Sequence, residues 1–199
     1  KYSRLLTRQD HTIEMASKMD GIWDNCYKGI NRANSAIKYI PNIKIDEEGE
    51  GERLLAEAKF FRAFNYFYLV KTFGAVPFYT EPYEVAENME LERTETSTIY
   101  TQIENDLNEA MAVLADARFT DNHRITKHTA AMVLTDVYMY QHKYAEAAKT
   151  AQSIIDSQKY SLLANTDMAD NSAYNQLREL DNNSEVIYSY EFDPSISPS

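Results

Sequence analysis

Glycine and proline are scarce in this chain, with 5 of each among 199 residues. β-Sandwiches and β-barrels join many short strands through turns that are rich in these two residues. Their scarcity therefore disfavours both architectures. The sequence also has no apolar run approaching the roughly 18 residues of a membrane-spanning helix. We predict a helical protein with no membrane span.

Cysteine is almost absent, because Cys26 is the only one. A single cysteine excludes an intrachain disulfide and any metal site built from several thiolates. Cys26 recurs with Trp23, Tyr27 and Ile30 at helical spacing. We therefore predict a buried, unreactive thiol on a helix.

A basic surface is also missing, because 31 acidic residues outnumber 20 Lys and Arg and give a net charge of −11. Nucleic-acid binding needs a clustered cationic surface, whereas the Lys and Arg residues are dispersed here. The one dense charge run, at residues 46–52, is acidic. We predict no nucleic-acid partner.

No catalytic signature is present. The sequence lacks a Gly-x-Ser-x-Gly elbow, a His-Glu-x-x-His zinc helix and a glycine loop for phosphates. The histidines fall near helix starts and turns, and we predict exposed or capping roles for His11, His123, His128 and His142. The sequence thus predicts a protein that is not an enzyme and needs neither metal nor cofactor. A glycoside hydrolase stays open as an alternative, because carboxylates are abundant although no pair stands out.

What the chain does have is an aromatic helix, predicted over residues 52–73 and followed by Gly74 and Pro77. This helix is so rich in Phe and Tyr that neighbouring helices must cover it on nearly all sides. Glu57 and Arg62 lie in the same apolar surroundings. We predict that at least one of them makes a buried or half-buried hydrogen bond whose loss costs a few kcal/mol of stability.

Apolar residues at helical spacing predict four further helices, over residues 20–40, 96–114, 130–140 and 144–157. Thr96 or Ser97 can cap the second of these. Residues 43–51 read as a solvated loop. Residues 76–95 contain two prolines and scattered Glu, which predicts an extended excursion rather than a packed element.

The last two predicted helices resemble a tetratricopeptide repeat. Their three-residue connection forces them antiparallel, and their large and small residues follow the register of that repeat. In this reading Tyr138 and Tyr144 fill the groove between the helices. Thr135 departs from the usual small residue, and the terminal Pro is absent. The predicted fold class is all-α, with tetratricopeptide-like antiparallel helix pairs that form an α–α superhelix.

The C-terminal part differs in character. Residues 162–183 are polar and predicted irregular, whereas residues 185–192 alternate apolar and polar side chains as a strand does. A strand needs a partner ladder, and no other segment in the sequence offers one. We expect the chain to be a piece of a longer protein.

Several tyrosines lie in irregular segments outside the predicted helices, such as Tyr2, Tyr79, Tyr83 and Tyr174. Exposed aromatic rings beside polar groups commonly stack on sugars or grip a partner. We interpret these rings first as pinning loops onto the helical layer, with contact to a sugar or a partner as the alternative.

The segment AEAKFFRAFNYFYLVKTFGAVPFYTEP, from Ala56 onwards, resembles the characteristic segment of the SusD/RagB family of Bacteroidetes outer-membrane nutrient-binding lipoproteins. Three more blocks agree with the family in order and spacing: IWDNCYKGINRANSAI, IYTQIENDLNEAMAVL and the repeat pair that ends in QKYSLL. The resemblance covers residues 21–163.

The resemblance implies a single SusD-like domain, with a helical scaffold over residues 20–163 and an irregular segment with one strand over residues 164–199. It assigns structural roles to six residues of the matching segments: Trp23, Glu57, Arg62, Phe73, Gly74 and Pro77. Cys26 cannot be the family's lipidated cysteine, because it lies inside a helix.

The resemblance also implies a function. Family members capture a glycan or other nutrient at the cell surface without catalysis, and dock onto a SusC-like TonB-dependent transporter of the outer membrane. Ligand contacts upstream of the first helix would fall near residues 1–11. The candidates for ligand binding are Tyr2, Arg4, Asp10, Tyr83 and Tyr174. A tetratricopeptide-type protein-interaction scaffold is the alternative, although it needs at least three similar repeats and only residues 131–164 match well.

Overall fold

Helices make up most of the fold, as the sequence predicts. The structure, a computed structural model, describes residues 13–83, 91–119, 124–164, 172–179 and 183–189. The chain divides into two compact units, Lys1–Glu109 and Ala110–Ser199, and each is described by itself. The elements in chain order are α1 (Ile13–Tyr39), a 3₁₀ turn (Ile40–Asn42), α2 (Glu50–Phe73), β1 (Val76–Pro77), β2 (Arg93–Thr94), α3 (Thr96–Val113), α4 (Lys127–Tyr140), α5 (Tyr144–Asp156) and α6 (Ala173–Glu179).

The core of the first unit lies where α1 packs along α2. Cys26, Ile30 and Ala33 of α1 recur at three- and four-residue steps and are buried. The prediction of a buried thiol is confirmed, and burial raises the pKa of Cys26. α1 begins at Ile13, well before the predicted start at residue 20.

The aromatic helix α2 is buried along most of its length, and its buried residues are Ala56, Ala58, Phe60, Arg62, Ala63, Tyr66, Phe67, Leu69 and Val70. Among its large apolar residues, Phe61 and Tyr68 are exposed, with exposed fractions of 41% and 45%. These two residues lie seven apart and share one face. The expectation that other helices cover nearly all sides of α2 is therefore wrong for this stripe.

Arg62 makes the buried interaction that the sequence predicts. Its Nε and Nη2 atoms each lie 2.8 Å from an oxygen of the Asp106 carboxylate on α3. Arg62 and Asp106 are both buried, with exposed fractions of 5% and 1%. Gln102 donates a further hydrogen bond to the same carboxylate, and Glu57 is half-buried. α2 and α3 are thus joined by a buried, bidentate ion pair.

Gly74 ends α2 in a backbone conformation that only glycine adopts without strain, at φ 71° and ψ −133°. No atom lies within 4 Å of a Cβ added there, so a substitution costs backbone strain and no clash. We expect Gly74→Ala to lower the free energy of unfolding by about 1–3 kcal/mol, measured by urea denaturation. Gly21→Ala is the matched control, because Gly21 is helical and equally open. It should stabilise the protein by up to about 1 kcal/mol, and equal effects at both sites would contradict this account.

The core of the second unit is the antiparallel pair α4 and α5. Ala131, Leu134, Ala147 and Ile154 are buried, as the tetratricopeptide spacing predicts. Tyr144 does not fill the groove between the helices, because 58% of it is exposed. Its hydroxyl is instead 2.8 Å from His142 Nδ1 in the connecting turn, so this part of the prediction is wrong.

α4 begins at Lys127, three residues before the predicted start, because Thr126 and Thr129 form a capping box. His128, in the first turn, is 3% exposed and lies 3.2 Å from both an Asp116 carboxylate oxygen and the Tyr160 hydroxyl. The prediction of an exposed or capping histidine is wrong here. Burial holds the pKa of His128 below its usual range.

The C-terminal part is largely irregular over its described residues. Helix α6 is an exception that the sequence analysis missed, and Ser172 caps it through a 3.3 Å hydrogen bond from the Asn175 amide. Residues 185–189 do not form the predicted strand. Asn183 Oδ1 accepts hydrogen bonds from the amides of Glu185 and Val186, which turns the backbone at that point. Residues 190–192 of the predicted strand lie outside the described residues.

Candidate functional site

A groove in the first unit runs between α1 and the chain that follows β1. Its volume is about 510 Å³, which is within the range of small-molecule sites in proteins. We call it the tyrosine groove, and it is lined by Trp23, Asp24, Tyr27, Lys28, Asn31, Pro77, Tyr79, Tyr83 and Leu91. The five lining residues of α1 recur at steps of one, three and four, so they share one face of the helix.

Four aromatic rings form the wall of the groove. Trp23 and Tyr27 have ring centroids 4.9 Å apart. Tyr27 stacks on Tyr79 at 5.9 Å with an interplanar angle of 12°, and Tyr79 meets the edge of Tyr83 at 4.3 Å. Trp23 also packs edge-on against Phe73 at 5.1 Å. The rings support one another, so the wall is a continuous aromatic surface.

The tyrosine hydroxyls of the groove stay protonated at neutral pH. Burial raises the pKa of Tyr79 to about 12, and it also raises the pKa of Tyr27 and of Tyr83. Tyr27 donates its hydroxyl to the Pro77 carbonyl at 2.7 Å. The wall is therefore an uncharged surface of phenol rings, and the Tyr27 hydroxyl, whose proton is donated to Pro77, can still accept a hydrogen bond.

The rim of the groove is polar and comes from α1. Asp24 and Lys28 are exposed and four residues apart, so their charges balance on one helix face. Asn31 is half-buried, and its Oδ1 accepts a 2.7 Å hydrogen bond from the Tyr83 amide. A carboxylate, an ammonium group and an amide thus border an aromatic wall. Such a rim can hydrogen-bond hydroxyl groups in either direction.

The segment that carries Tyr79 and Tyr83 is fastened from beneath. The Tyr66 hydroxyl donates to the Tyr79 carbonyl at 2.7 Å and accepts from its amide at 2.9 Å. Asn34 Nδ2 lies 3.3 Å from the carbonyl oxygens of Tyr79 and Glu81. The prediction that residues 76–95 do not pack is therefore wrong for residues 76–83, because buried polar side chains bind their backbone.

The predicted site residues have different outcomes. Tyr83 lines the groove, whereas Tyr174 belongs to the second unit and is 68% exposed. Tyr2, Arg4 and Asp10 lie outside the described residues, so their proposed contacts stay predictions. Arg62 is buried, Phe73 packs against Trp23 and Gly74 ends α2, and their structural roles stay predictions.

Trp23 and Pro77, predicted as structural, also line the groove. The sequence analysis missed five lining residues: Asp24, Tyr27, Lys28, Asn31 and Leu91. The sequence signal for the α1 residues is one helix face that mixes aromatic and polar residues, at positions 23, 24, 27, 28 and 31, but this pattern does not separate a groove from a packed core.

No helix within the described ranges is both long and apolar enough to cross a membrane. In the same part of the chain, no three His, Cys, Asp or Glu side chains lie together as metal ligands would.

Comparison with known proteins identifies the family. A family model described as starch-binding and associating with the outer membrane, SusD-like, matches residues 2–139. The chain belongs to the SusD-like family. The resemblance drawn from the aromatic segment is thereby confirmed.

Relatives agree in sequence and in fold. SusD-like protein P25 of Formosa agariphila is 33% identical over 92% of the chain. A laminarin-binding SusD-like protein of solved structure is 35% identical, with a TM-score of 0.73 over 83% of the chain. A SusD-like protein from Bacteroides fragilis reaches a TM-score of 0.78 over 90% of the chain at 26% identity.

The chain spans about a third of the length of these SusD-like relatives: 34% of P25, 36% of the laminarin-binding protein and 34% of the Bacteroides fragilis protein. The predicted all-α class with tetratricopeptide-like helix pairs agrees with these neighbours. Because the chain covers only this part of its relatives, its activity is treated below as a proposal.

Proposed function

We propose that this chain binds a glycan without catalysis, and that the tyrosine groove is its contact surface. The observation that carries the proposal is the continuous wall of Trp23, Tyr27, Tyr79 and Tyr83 beside a polar rim. Membership of the SusD-like family supports it, as does the similarity to a protein whose name states that it binds laminarin.

The chemistry of the groove suits a neutral sugar. One face of a pyranose ring is apolar and packs on an aromatic ring, whereas the hydroxyl groups at its edge need hydrogen-bond partners. The aromatic wall of the groove can pack against the apolar face of the sugar. Asp24, Lys28 and Asn31 can hydrogen-bond its hydroxyl groups. The net charge of −11 disfavours uronic or sulfated glycans, because long-range repulsion slows their approach.

We further propose that the protein acts at the outer membrane and delivers its ligand to a SusC-like TonB-dependent transporter. The family description, which associates these proteins with the outer membrane, supports this location. A binding protein that passes its ligand on needs a rigid scaffold rather than a catalytic centre, and the helix pairs provide one.

Calorimetric titration of the full chain tests the proposal. The panel contains oligosaccharides from laminarin and starch as neutral glycans, an oligouronate as the charged comparison, and a set of unrelated peptides. We expect saturable binding of at least one neutral oligosaccharide and none of the oligouronate. Binding of a peptide with no binding of any saccharide would overturn the proposal in favour of a protein-interaction scaffold.

A further inference from the structure

We infer that three buried side chains which do not line the tyrosine groove, Asn34, Arg62 and Tyr66, are positioning residues for ligand binding. They hold the backbone that carries the Tyr79 and Tyr83 rings. The inference rests on the proposed function of the groove, but the position of that backbone can be measured without a ligand.

Tyr66 binds both backbone groups of a single groove residue. Its ring is fully buried, with an exposed fraction of 0%, and its hydroxyl both donates to the Tyr79 carbonyl and accepts from the Tyr79 amide. A backbone amide and carbonyl that are removed from water need partners, and here one hydroxyl supplies both. Because α2 fixes the Tyr66 ring in the core, the position of Tyr79 is set from the core as well.

Asn34 holds the same segment from α1. Its side chain is 1% exposed, and Nδ2 donates towards the carbonyl oxygens of Tyr79 and Glu81. Oδ1 accepts a 3.1 Å hydrogen bond from Arg62 Nη1. That bond fixes the orientation of the amide, because Oδ1 must face the guanidinium and Nδ2 must face the carbonyls.

Arg62 completes the arrangement. Its Nη1 also lies 3.4 Å from the Thr80 carbonyl, while Nε and Nη2 bind Asp106. Three consecutive carbonyls, those of Tyr79, Thr80 and Glu81, therefore accept hydrogen bonds from side chains of α1 and α2. These hydrogen bonds fix the path of the segment that carries two rings of the groove wall, at residues 79 and 83.

The sharpest test is Tyr66→Phe, which keeps the buried ring and removes both hydrogen bonds to Tyr79. We expect the amide of Tyr79 to exchange with solvent deuterium about tenfold faster than in the wild type. The affinity for the neutral oligosaccharide that the wild type binds should fall about tenfold, the effect of one to two lost hydrogen bonds. Asn34→Ala, which frees the Tyr79 and Glu81 carbonyls from the other side, should change both measurements in the same direction.

Tyr160→Phe is the matched control, because it removes a part-buried hydroxyl contact to His128 in the second unit. It should leave both the oligosaccharide affinity and the exchange of Tyr79 unchanged. Wild-type affinity in Tyr66→Phe and Asn34→Ala, with the wild type binding normally, would overturn the inference and spare the proposed function. If the wild type binds no saccharide, the proposed function fails. In that case, faster exchange of the Tyr79 amide in Tyr66→Phe and Asn34→Ala still supports the inference that these side chains hold the backbone. Unchanged exchange overturns that inference.

Discussion

Replacing Arg62 with alanine is expected to lower the free energy of unfolding by about 3–5 kcal/mol, the cost of leaving one member of a buried ion pair without its partner. Among the residues that the structure describes, Gln102 would be the remaining hydrogen-bond donor to Asp106, and this carboxylate would stay in the core. Chemical denaturation monitored by circular dichroism measures the change.

The chain offers a matched control between the same two helices. Lys59 and Glu109 also join α2 and α3, but Lys59 is 28% and Glu109 57% exposed. Exposed ion pairs contribute at most about 1 kcal/mol, so Lys59→Ala should have a small effect. The double variant Arg62→Met with Asp106→Leu should recover most of the stability lost in Arg62→Ala, since no charge is then left unpaired. Equal losses in Arg62→Ala and Lys59→Ala would contradict the account.

Replacing Tyr83 with alanine is expected to weaken glycan binding about thirtyfold, equivalent to about 2 kcal/mol, the loss typical of an aromatic residue that contributes strongly to binding. Tyr83 lies at the open end of the ring series and packs on Tyr79, so its loss removes stacking surface and leaves the core of the unit intact. The melting temperature should stay close to the wild-type value, which separates lost binding from lost folding.

Tyr174→Ala is the control for this result. Tyr174 is also a tyrosine outside the long helices, it is highly exposed, and it does not line the tyrosine groove. Its replacement should leave the affinity unchanged. If the two variants bind equally well, or if Tyr174→Ala alone loses binding, the groove is not the contact surface.

The sequence predicts the scaffold well because a helix face is a local property. Cys26, Ile30 and Ala33 repeat every three or four residues, and the buried side of α1 follows directly from that repeat. Arg62 was predictable for a related reason, since a charged residue among phenylalanines and tyrosines must find a partner or stay in water. Its partner, Asp106, lies 44 residues away in the sequence, so local spacing does not reveal which residue pairs with Arg62.

The groove could be predicted only in part. Tyr83 was selected because it has no helical face, but Trp23 and Tyr27 fit the packing pattern of α1 as well as they fit a binding wall. Periodicity does not distinguish a ring that meets the core from one that meets a groove. The path of residues 79–83 depends on Asn34 and Tyr66, whose hydrogen bonds to Tyr79 span 45 and 13 residues.

The errors have equally local causes. The alternation at residues 185–192 is typical of a strand. However, the Asn183 side chain accepts hydrogen bonds from the amides of Glu185 and Val186 and turns the chain there. Tyr144 fits a repeat pattern that places it between α4 and α5. Its hydroxyl instead forms a hydrogen bond with His142 in the connecting turn, and its side chain is exposed. In both cases a short-range hydrogen bond outweighs a pattern that needs distant partners.

The most direct test is a crystal structure of the full chain soaked with the neutral oligosaccharide that calorimetry identifies. We predict a sugar ring packed against Tyr27, Tyr79 or Tyr83, with its hydroxyl groups near Asp24, Lys28 or Asn31. Sugar bound elsewhere while the tyrosine groove stays empty, or a groove filled by polypeptide, would contradict the account.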